Sequence, residues 1–302
     1  MSAVDPNESI RSARRQRTWS NAVRDRFEIG MFRLLRRLPL RWAAAPGRWL
    51  TRRELQSNRP WVAEHARANL QRLRPHDTAE EREMAVARFL DHLAAFVGEV
   101  PTIGRQSSAG RVRIEGAENV LSAYRTGGVV LMGLHLGNWE ILSEAVRQLG
   151  LQASTFYEEA ETEVQTRILR EIRQDVGVDL LEANATGLRR AMRELVDGRV
   201  ICLFADHLRG GRIMAPLLGR PPEKEGNLAI IARLARKARV PVVPAYVLRE
   251  DDGRFTVRWM PTVRFSDDCS DPLADVLMLN RLIEPPILAN LDQWFFLDDG
   301  LN

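Results

Sequence analysis

The chain has 302 residues, 45% of them hydrophobic and 28% charged, which excludes a largely disordered polymer and suits one large α/β domain or two small ones. Its formal net charge is only +4, but residues 1–60 hold fourteen Arg against five acids, so that stretch carries +9 and the remainder −5. The longest apolar run, Gly127–Leu134, is strand length and well short of the ~18 residues of a transmembrane helix, so any membrane contact is made from the surface.

The basic end reads as an address for phosphate groups, in lipid or nucleic acid. Residues 1–18 are polar and Arg-rich with no apolar segment ahead of a cleavage site, so a secretory signal is not expected. Between Trp19 and Trp49, Phe27, Met31, Leu34, Leu35 and Leu38 recur at helical spacing among Arg24, Arg33, Arg36, Arg37 and Arg41, and Trp42 follows. An apolar stripe with Arg flanks and nearby Trp is the composition of an interfacial helix. Phe27, Met31, Leu34, Leu35, Leu38 and Trp42 are therefore the expected membrane contacts. Pro39 and Pro46 predict two short helices there rather than one.

Residues 60–74 and 79–98 predict two more amphipathic helices, with Pro60 near the start of the first and Asp77-Thr78 capping the second. Val112–Ile114 predicts a short strand and Ala117–Arg125 a helix. Val129–Met132 is a buried strand set between glycines. Helices at about 138–149, 161–175, 186–196 and 226–238 then alternate with strands at 153–157, 178–181, 200–205 and 241–248. Asp252-Gly253 turns the last of these into a strand at 255–260 as a hairpin, and a final helix fills about 273–290. The expected fold class is α/β, with a mainly parallel sheet flanked by helices. The expected division places a basic, amphipathic helical region at residues 1–100 and the α/β core at 101–302.

Ligands collect at the carboxyl ends of strands in open α/β sheets. Two such ends are dense in ionisable groups: His135-Leu136-Gly137-Asn138-Trp139-Glu140, and Asp206-His207-Leu208-Arg209-Gly210-Gly211-Arg212. In the first, Gly137 permits a tight turn, Asn138 is a good helix cap, and Glu140 falls where it faces back toward the imidazole. A His held by a carboxylate in a cleft suits a general base near neutral pH. Trp139 supplies an apolar wall beside it. In the second, Arg209 and Arg212 flank glycines in a loop suited to phosphate, and His207 is a substrate contact or a surface residue. No spacing suggests a metal site. Cys202 sits mid-strand as core, and with Cys269 makes neither a redox motif nor a disulfide framework, which fits a reducing compartment. No helix-turn-helix or strand-borne stacking platform points to nucleic acid.

A His, four residues and an acid at a strand-to-helix junction resembles the HX4D/E motif of glycerolipid and lipid A acyltransferases. The wording Gly133-Leu134-His135-Leu136-Gly137-Asn138-Trp139-Glu140 is similar to the bacterial lipid A secondary (lauroyl/myristoyl) acyltransferase family and its relative, phosphatidylinositol mannoside acyltransferase. Asp206, Pro216-Leu217-Leu218-Gly219 and Pro241-Val242-Val243-Pro244 extend the resemblance over about residues 25–290. It departs at Glu225-Gly226-Asn227 and at Phe156-Tyr157-Glu158-Glu159.

The resemblance implies a glycerolipid acyltransferase-like core in a peripheral protein at the cytoplasmic face of the bacterial inner membrane. The implied reaction moves a fatty acyl chain from a thioester, acyl carrier protein favoured, to a hydroxyl of a lipid A precursor or similar glycolipid. His135, Glu140 and Asp206 are the implied catalytic set, with His135 as base and Glu140 or Asp206 orienting it. The oxyanion is expected to meet main-chain N–H groups around Gly137–Asn138, or an Arg of the helix after strand 153–157; Arg173 is favoured over Arg167 and Arg170 by its spacing to Gly177. Asn138, Trp139, Arg170, Arg173, His207, Arg209 and Arg212 are the implied substrate contacts. No cofactor beyond the acyl thioester is implied. Two other readings stay open: transfer from acyl-CoA to another phosphoglycolipid or a lysophospholipid, and an inactive basic membrane-binding protein.

Overall fold

The computed structural model describes residues 19–157, 163–209, 211–266 and 271–301. The expectations for residues 1–18, Glu158, Glu159, Gly210 and Cys269 lie outside these.

Four helices come first: α1 (Trp19–Leu35), α2 (Leu40–Ser57), α3 (Pro60–Leu73) and α4 (Ala79–Glu99). Thr78 and Glu81 form a capping box at the start of α4: Thr78 Oγ1 accepts from the Glu81 N–H at 3.2 Å, and the Glu81 carboxylate accepts from the Thr78 N–H at 2.8 Å. Pro39 does separate α1 from α2, but Pro46 lies inside α2 and does not break it. Packing overrides the local rule here. A Cβ on Gly98 of α4 would meet the Ala44 carbonyl at 2.5 Å and the Arg48 nitrogen at 2.7 Å, so the two backbones are pressed together across the glycine. α2 continues through Pro46, which lacks an N–H, at this crossing.

The remaining helices are α5 (Ala117–Tyr124), α6 (Ile141–Gln148), α7 (Glu163–Asp175), α8 (Ala185–Val196), α9 (Gly226–Ala238) and α10 (Pro272–Ala289). Between them lie β1 (Val112–Glu115), β2 (Val129–Gly133), β3 (Ala153–Tyr157), β4 (Asp179–Glu182), β5 (Val200–Phe204), β8 (Val242–Arg249) and β9 (Phe255–Trp259). These seven form one sheet in the order β1-β9-β8-β2-β5-β3-β4. β8, β2, β5, β3 and β4 are parallel, while β9 returns antiparallel to β8 through the Asp252-Gly253 turn and pairs parallel with β1. The sheet is thus mainly parallel and flanked by helices. A two-residue ribbon, β6 (Leu208–Arg209) with β7 (Arg212–Ile213), was not expected.

β2 and β5 occupy the middle of the sheet and are buried on both faces, as their uninterrupted apolar sequences require. Val130, Met132, Ile201 and Leu203 face α8, α9 and α10, and in the same apolar cluster lie Leu70 of α3 and Phe89 of α4. Val129, Leu131, Val200 and Cys202 face α5 and α6. Central burial fixes the register of these two strands, because a one-residue slip would exchange their faces. It thereby fixes which residues leave their carboxyl ends side by side.

Candidate active site

Gly133, the last residue of β2, stands opposite Phe204, the last of β5, and the Ala205 N–H extends the pairing to the Gly133 carbonyl at 2.9 Å. His135 and Asp206 each lie two residues beyond these ends. The adjacent strands therefore deliver them to the same point. Asp206 is wholly buried, and the His135 side chain is 18% exposed. The Asp206 carboxylate accepts the His135 main-chain N–H at 3.0 Å to each oxygen and the Trp294 indole N–H at 2.9 Å. His135 Nδ1 lies 2.8 Å from the Asp206 carbonyl and 3.1 Å from its Oδ1. Both partners are acceptors, so Nδ1 carries the proton and Nε2 presents its lone pair. A buried carboxylate needs this many donors to offset its lost hydration.

The imidazole sits in an aromatic box. Phe204, Trp139 and Phe296 have ring centres 4.4, 4.9 and 5.0 Å from it, and Phe96 stacks on Trp139 at 4.0 Å. Phe295 packs edge-on against Trp139 at 4.8 Å, while its main-chain N–H donates to the His135 carbonyl at 3.0 Å.

Glu140 does not turn back toward the imidazole. Its buried carboxylate is gripped by Arg173 of α7, with Nη2 at 2.9 Å and Nε at 3.4 Å. α6 begins only at Ile141, so Glu140 projects across to α7 rather than into the turn. Asn138 is not a side-chain cap either: it is fully buried and donates to Glu99 Oε2 at 2.9 Å. Two expected oxyanion donors are likewise engaged, Arg173 by Glu140 and the Gly137 N–H by the Gln293 carbonyl at 2.9 Å. Gly137 itself is required: φ is +58°, and a Cβ there would meet the Val247 carbonyl at 2.7 Å.

The other expected substrate contacts stand apart from the imidazole's immediate partners. Arg170 is exposed and donates to the Tyr157 hydroxyl at 2.6 Å. On the β6–β7 ribbon, Arg209 pairs with Glu225 and Arg212 with Glu223, so neither arrives as an unneutralised phosphate ligand. The His207 ring lies beside Gly226. Cys202 is buried, and burial pushes its thiol up to about 12, which leaves it protonated and inert. Among the described residues, no group of three or more His, Cys, Asp or Glu is placed to hold a metal ion.

Residues 15–301 match the family of bacterial lipid A biosynthesis acyltransferases. The chain belongs to that family. No match to it was found among the curated proteins. Four solved chains are similar to it; one is the 1-acyl-sn-glycerophosphate acyltransferase PlsC from Thermotoga maritima, 14% identical over 68% of this chain and 87% of that one, with a TM-score of 0.38.

In this lipid A acyltransferase family member, the segment from Gln293 to Phe296 is the part of the site that periodicity could not reveal. Gln293 closes a hydrogen-bonded ring behind the Gly137–Asn138 turn. Gln293 takes the Gly137 N–H on its carbonyl, and its side-chain amide bonds the Arg249 main chain at 2.8 and 3.0 Å. The Arg249 guanidinium pairs with Glu99, which holds Asn138. Arg249 Nε also donates to His92 Nδ1 at 3.3 Å. The one local signal was three consecutive aromatics, Trp294-Phe295-Phe296, in a chain with only 7 Trp and 10 Phe.

His92 gives this ring a pH dependence. Burial, and then the Arg249 charge, lower its pKa from 6.5 to about 4, with Arg48 acting the same way and Asp292 and Asp91 opposing. The unfolded chain thus binds a proton that the folded protein refuses, and stability falls as pH drops from about 6.5 through about 4. Asp298 works in the other direction: burial, then repulsion from Asp299, raise it to about 6, so its contribution is lost as pH rises toward 6. The measurement is the difference in melting temperature between the parent and His92→Gln at pH 4.5 and pH 7. The parent should lose more on acidification than the variant, and parallel losses would show that His92 carries no proton linkage.

The N-terminal helices expose Met31, Leu34, Trp42, Trp49, Leu50 and Trp61. Trp42 and Trp49 are seven residues apart on α2 and share one face. Leu35 and Leu38 are half-buried, and the Phe27 side chain lies outside the described structure. α1 also has an inward anchor, Phe32, packed with Ile103 and Ile172. No described helix is long and apolar enough to cross a membrane.

Proposed function

We propose that this protein transfers a fatty acyl chain from an acyl carrier protein thioester to a hydroxyl of a lipid A precursor, at the cytoplasmic face of the inner membrane. The observation that carries the mechanism is the pinned imidazole: Nδ1–H is held by Asp206, which leaves the Nε2 lone pair for the incoming hydroxyl. Nε2 takes the hydroxyl proton as that oxygen attacks the thioester carbonyl. The buried Asp206 carboxylate stabilises the imidazolium that forms. Collapse of the tetrahedral intermediate breaks the carbon–sulfur bond, and Nε2–H returns its proton to the departing thiolate. No acyl-enzyme is required, since a thioester is already activated toward attack. Glu140 enters this scheme as the partner of Arg173, not of His135.

The exposed Trp42, Trp49 and Trp61, with Arg37, Arg41, Arg48 and Arg53 exposed nearby, support docking on an anionic lipid surface. The test is transfer on anionic vesicles. A labelled acyl group is offered on acyl carrier protein and on CoA, and the acceptors are a lipid A precursor and a lysophospholipid. Label is expected on the lipid A precursor, with carrier protein the better donor, and Trp42→Ser/Trp49→Ser is expected to weaken vesicle binding several-fold. Label only on the lysophospholipid, or only from CoA, would move the protein to a different acceptor or donor.

A further inference from the structure

α8 and α9 leave between them a groove of about 680 Å3. Its apolar lining is Leu188, Met192, Ile230 and Leu234, and its charged lining is Arg189, Arg193, Arg233 and Lys237, with no acid among the lining residues. Leu188 is 38% exposed. Among the described residues none of these four cations is ion-paired: Arg189 donates to Thr186 Oγ1 and Arg233 to the Ala229 carbonyl, each on its own helix. Three other cations on or beside the same helices are neutralised, Arg190 by Glu194, Arg199 by Asp179 and Arg236 by Asp275. Arg193 and Lys237 lie in the last turns of their helices and complement the helix dipoles, but Arg189 and Arg233 sit a turn earlier and do not.

One end of the groove, at Ile230, lies toward the imidazole. Asn227, in the first turn of α9, donates to the Phe204 carbonyl at 2.7 Å, and the Phe204 ring lies 4.4 Å from that of His135. Ile230 is three residues further along α9, about 4.5 Å of helix, and the stretch to Lys237 adds about 10 Å, two turns of an incoming helix.

We propose that this groove docks an acidic amphipathic helix of the carrier protein that presents the acyl thioester. The assignment rests on the donor reading given above. An apolar floor under a rim of unneutralised cations is complementary to a helix with an apolar stripe and acidic flanks. The exposed tryptophans that suit a lipid surface lie on α2 and α3 instead.

The test uses the full-length protein and purified acylated carrier protein. Binding is measured at low and high salt for the parent, for Arg193→Glu/Lys237→Glu, and for Arg190→Glu/Arg239→Glu, which makes the same change in net charge outside the groove. Arg193→Gln/Lys237→Gln serves as a milder second groove variant. The groove reversal is expected to raise Kd at least about tenfold at low salt, the glutamine pair less, and the control pair under about twofold, with the differences collapsing at high salt. Equal weakening by the groove and control pairs would overturn the site and leave the reaction standing. Loss of anionic-vesicle binding with carrier-protein affinity unchanged would overturn it in favour of a lipid contact. A parent protein that transfers from CoA and does not bind carrier protein would overturn the donor reading and the docking site together.

Discussion

Replacing His135 with alanine should lower kcat by roughly 10²–10⁴-fold, the range a positioned general base supplies, with little change in the KM of either substrate. The split follows from geometry. His135 Nδ1 is already committed to Asp206, so the imidazole contributes chiefly through Nε2 as the hydroxyl proton moves. Its main-chain N–H to Asp206 survives in the alanine variant, and so does the Trp294 indole bond, which keeps the carboxylate partnered and the fold intact. Asp206→Asn should also lower kcat, because an amide keeps a polar partner for the ring without stabilising an imidazolium. Steady-state kinetics with both substrates varied, beside a melting curve, decides the matter. A His135→Ala enzyme that retains more than about half its kcat would exclude His135 as the base.

Glu140→Ala should behave differently, as a loss of stability. Arg173 is buried against Glu140, with side-chain exposures of 18% and 7%, and removing one partner of such a pair strands the other charge. Stranding a buried charge costs about 3–5 kcal/mol, which in a domain of this size lowers the melting temperature by roughly 5–8 °C. The double variant Glu140→Leu/Arg173→Met should recover most of that loss, since neither charge is then left in the interior. Calorimetry on the three variants checks this. A Glu140→Ala protein with unchanged stability and abolished kcat would place the carboxylate in the chemistry after all.

The contrast between these residues shows what periodicity and spacing convey. The buried runs at 129–133, 200–204 and 242–249 had one physical interpretation, and the sheet follows from them. The Thr78 cap and the Asp252-Gly253 hairpin were local chemistry, legible in a few residues. Pro46 was local chemistry too, but a tight helix crossing at Gly98 overrode it. His135 and Asp206 were visible as residues after strands, and the resemblance of the motif singled them out. Their meeting depends on β2 and β5 being neighbours, which no local pattern states. The direction of Glu140 depends on where α6 begins, three residues later than its periodicity suggests. Glu99, Arg249 and Gln293 were invisible because each meets the motif from across the chain and belongs to no repeating pattern.

The indole that holds Asp206 belongs to a segment made long after the motif it completes. In time, as the ribosome delivers the chain, β2 and the His135 turn appear first, β5 and Asp206 follow, and Trp294, Phe295 and Phe296 come 88 to 90 residues after Asp206. Until they arrive, the carboxylate lacks its Trp294 donor and the imidazole lacks the Phe296 wall. None of the sheet's strand pairings involves these residues, but the contacts they make to Asp206 and His135 wait for them. Synthesis and assembly are thereby ordered: a nascent chain whose strands have already paired still lacks the indole donor and part of the aromatic wall around the imidazole.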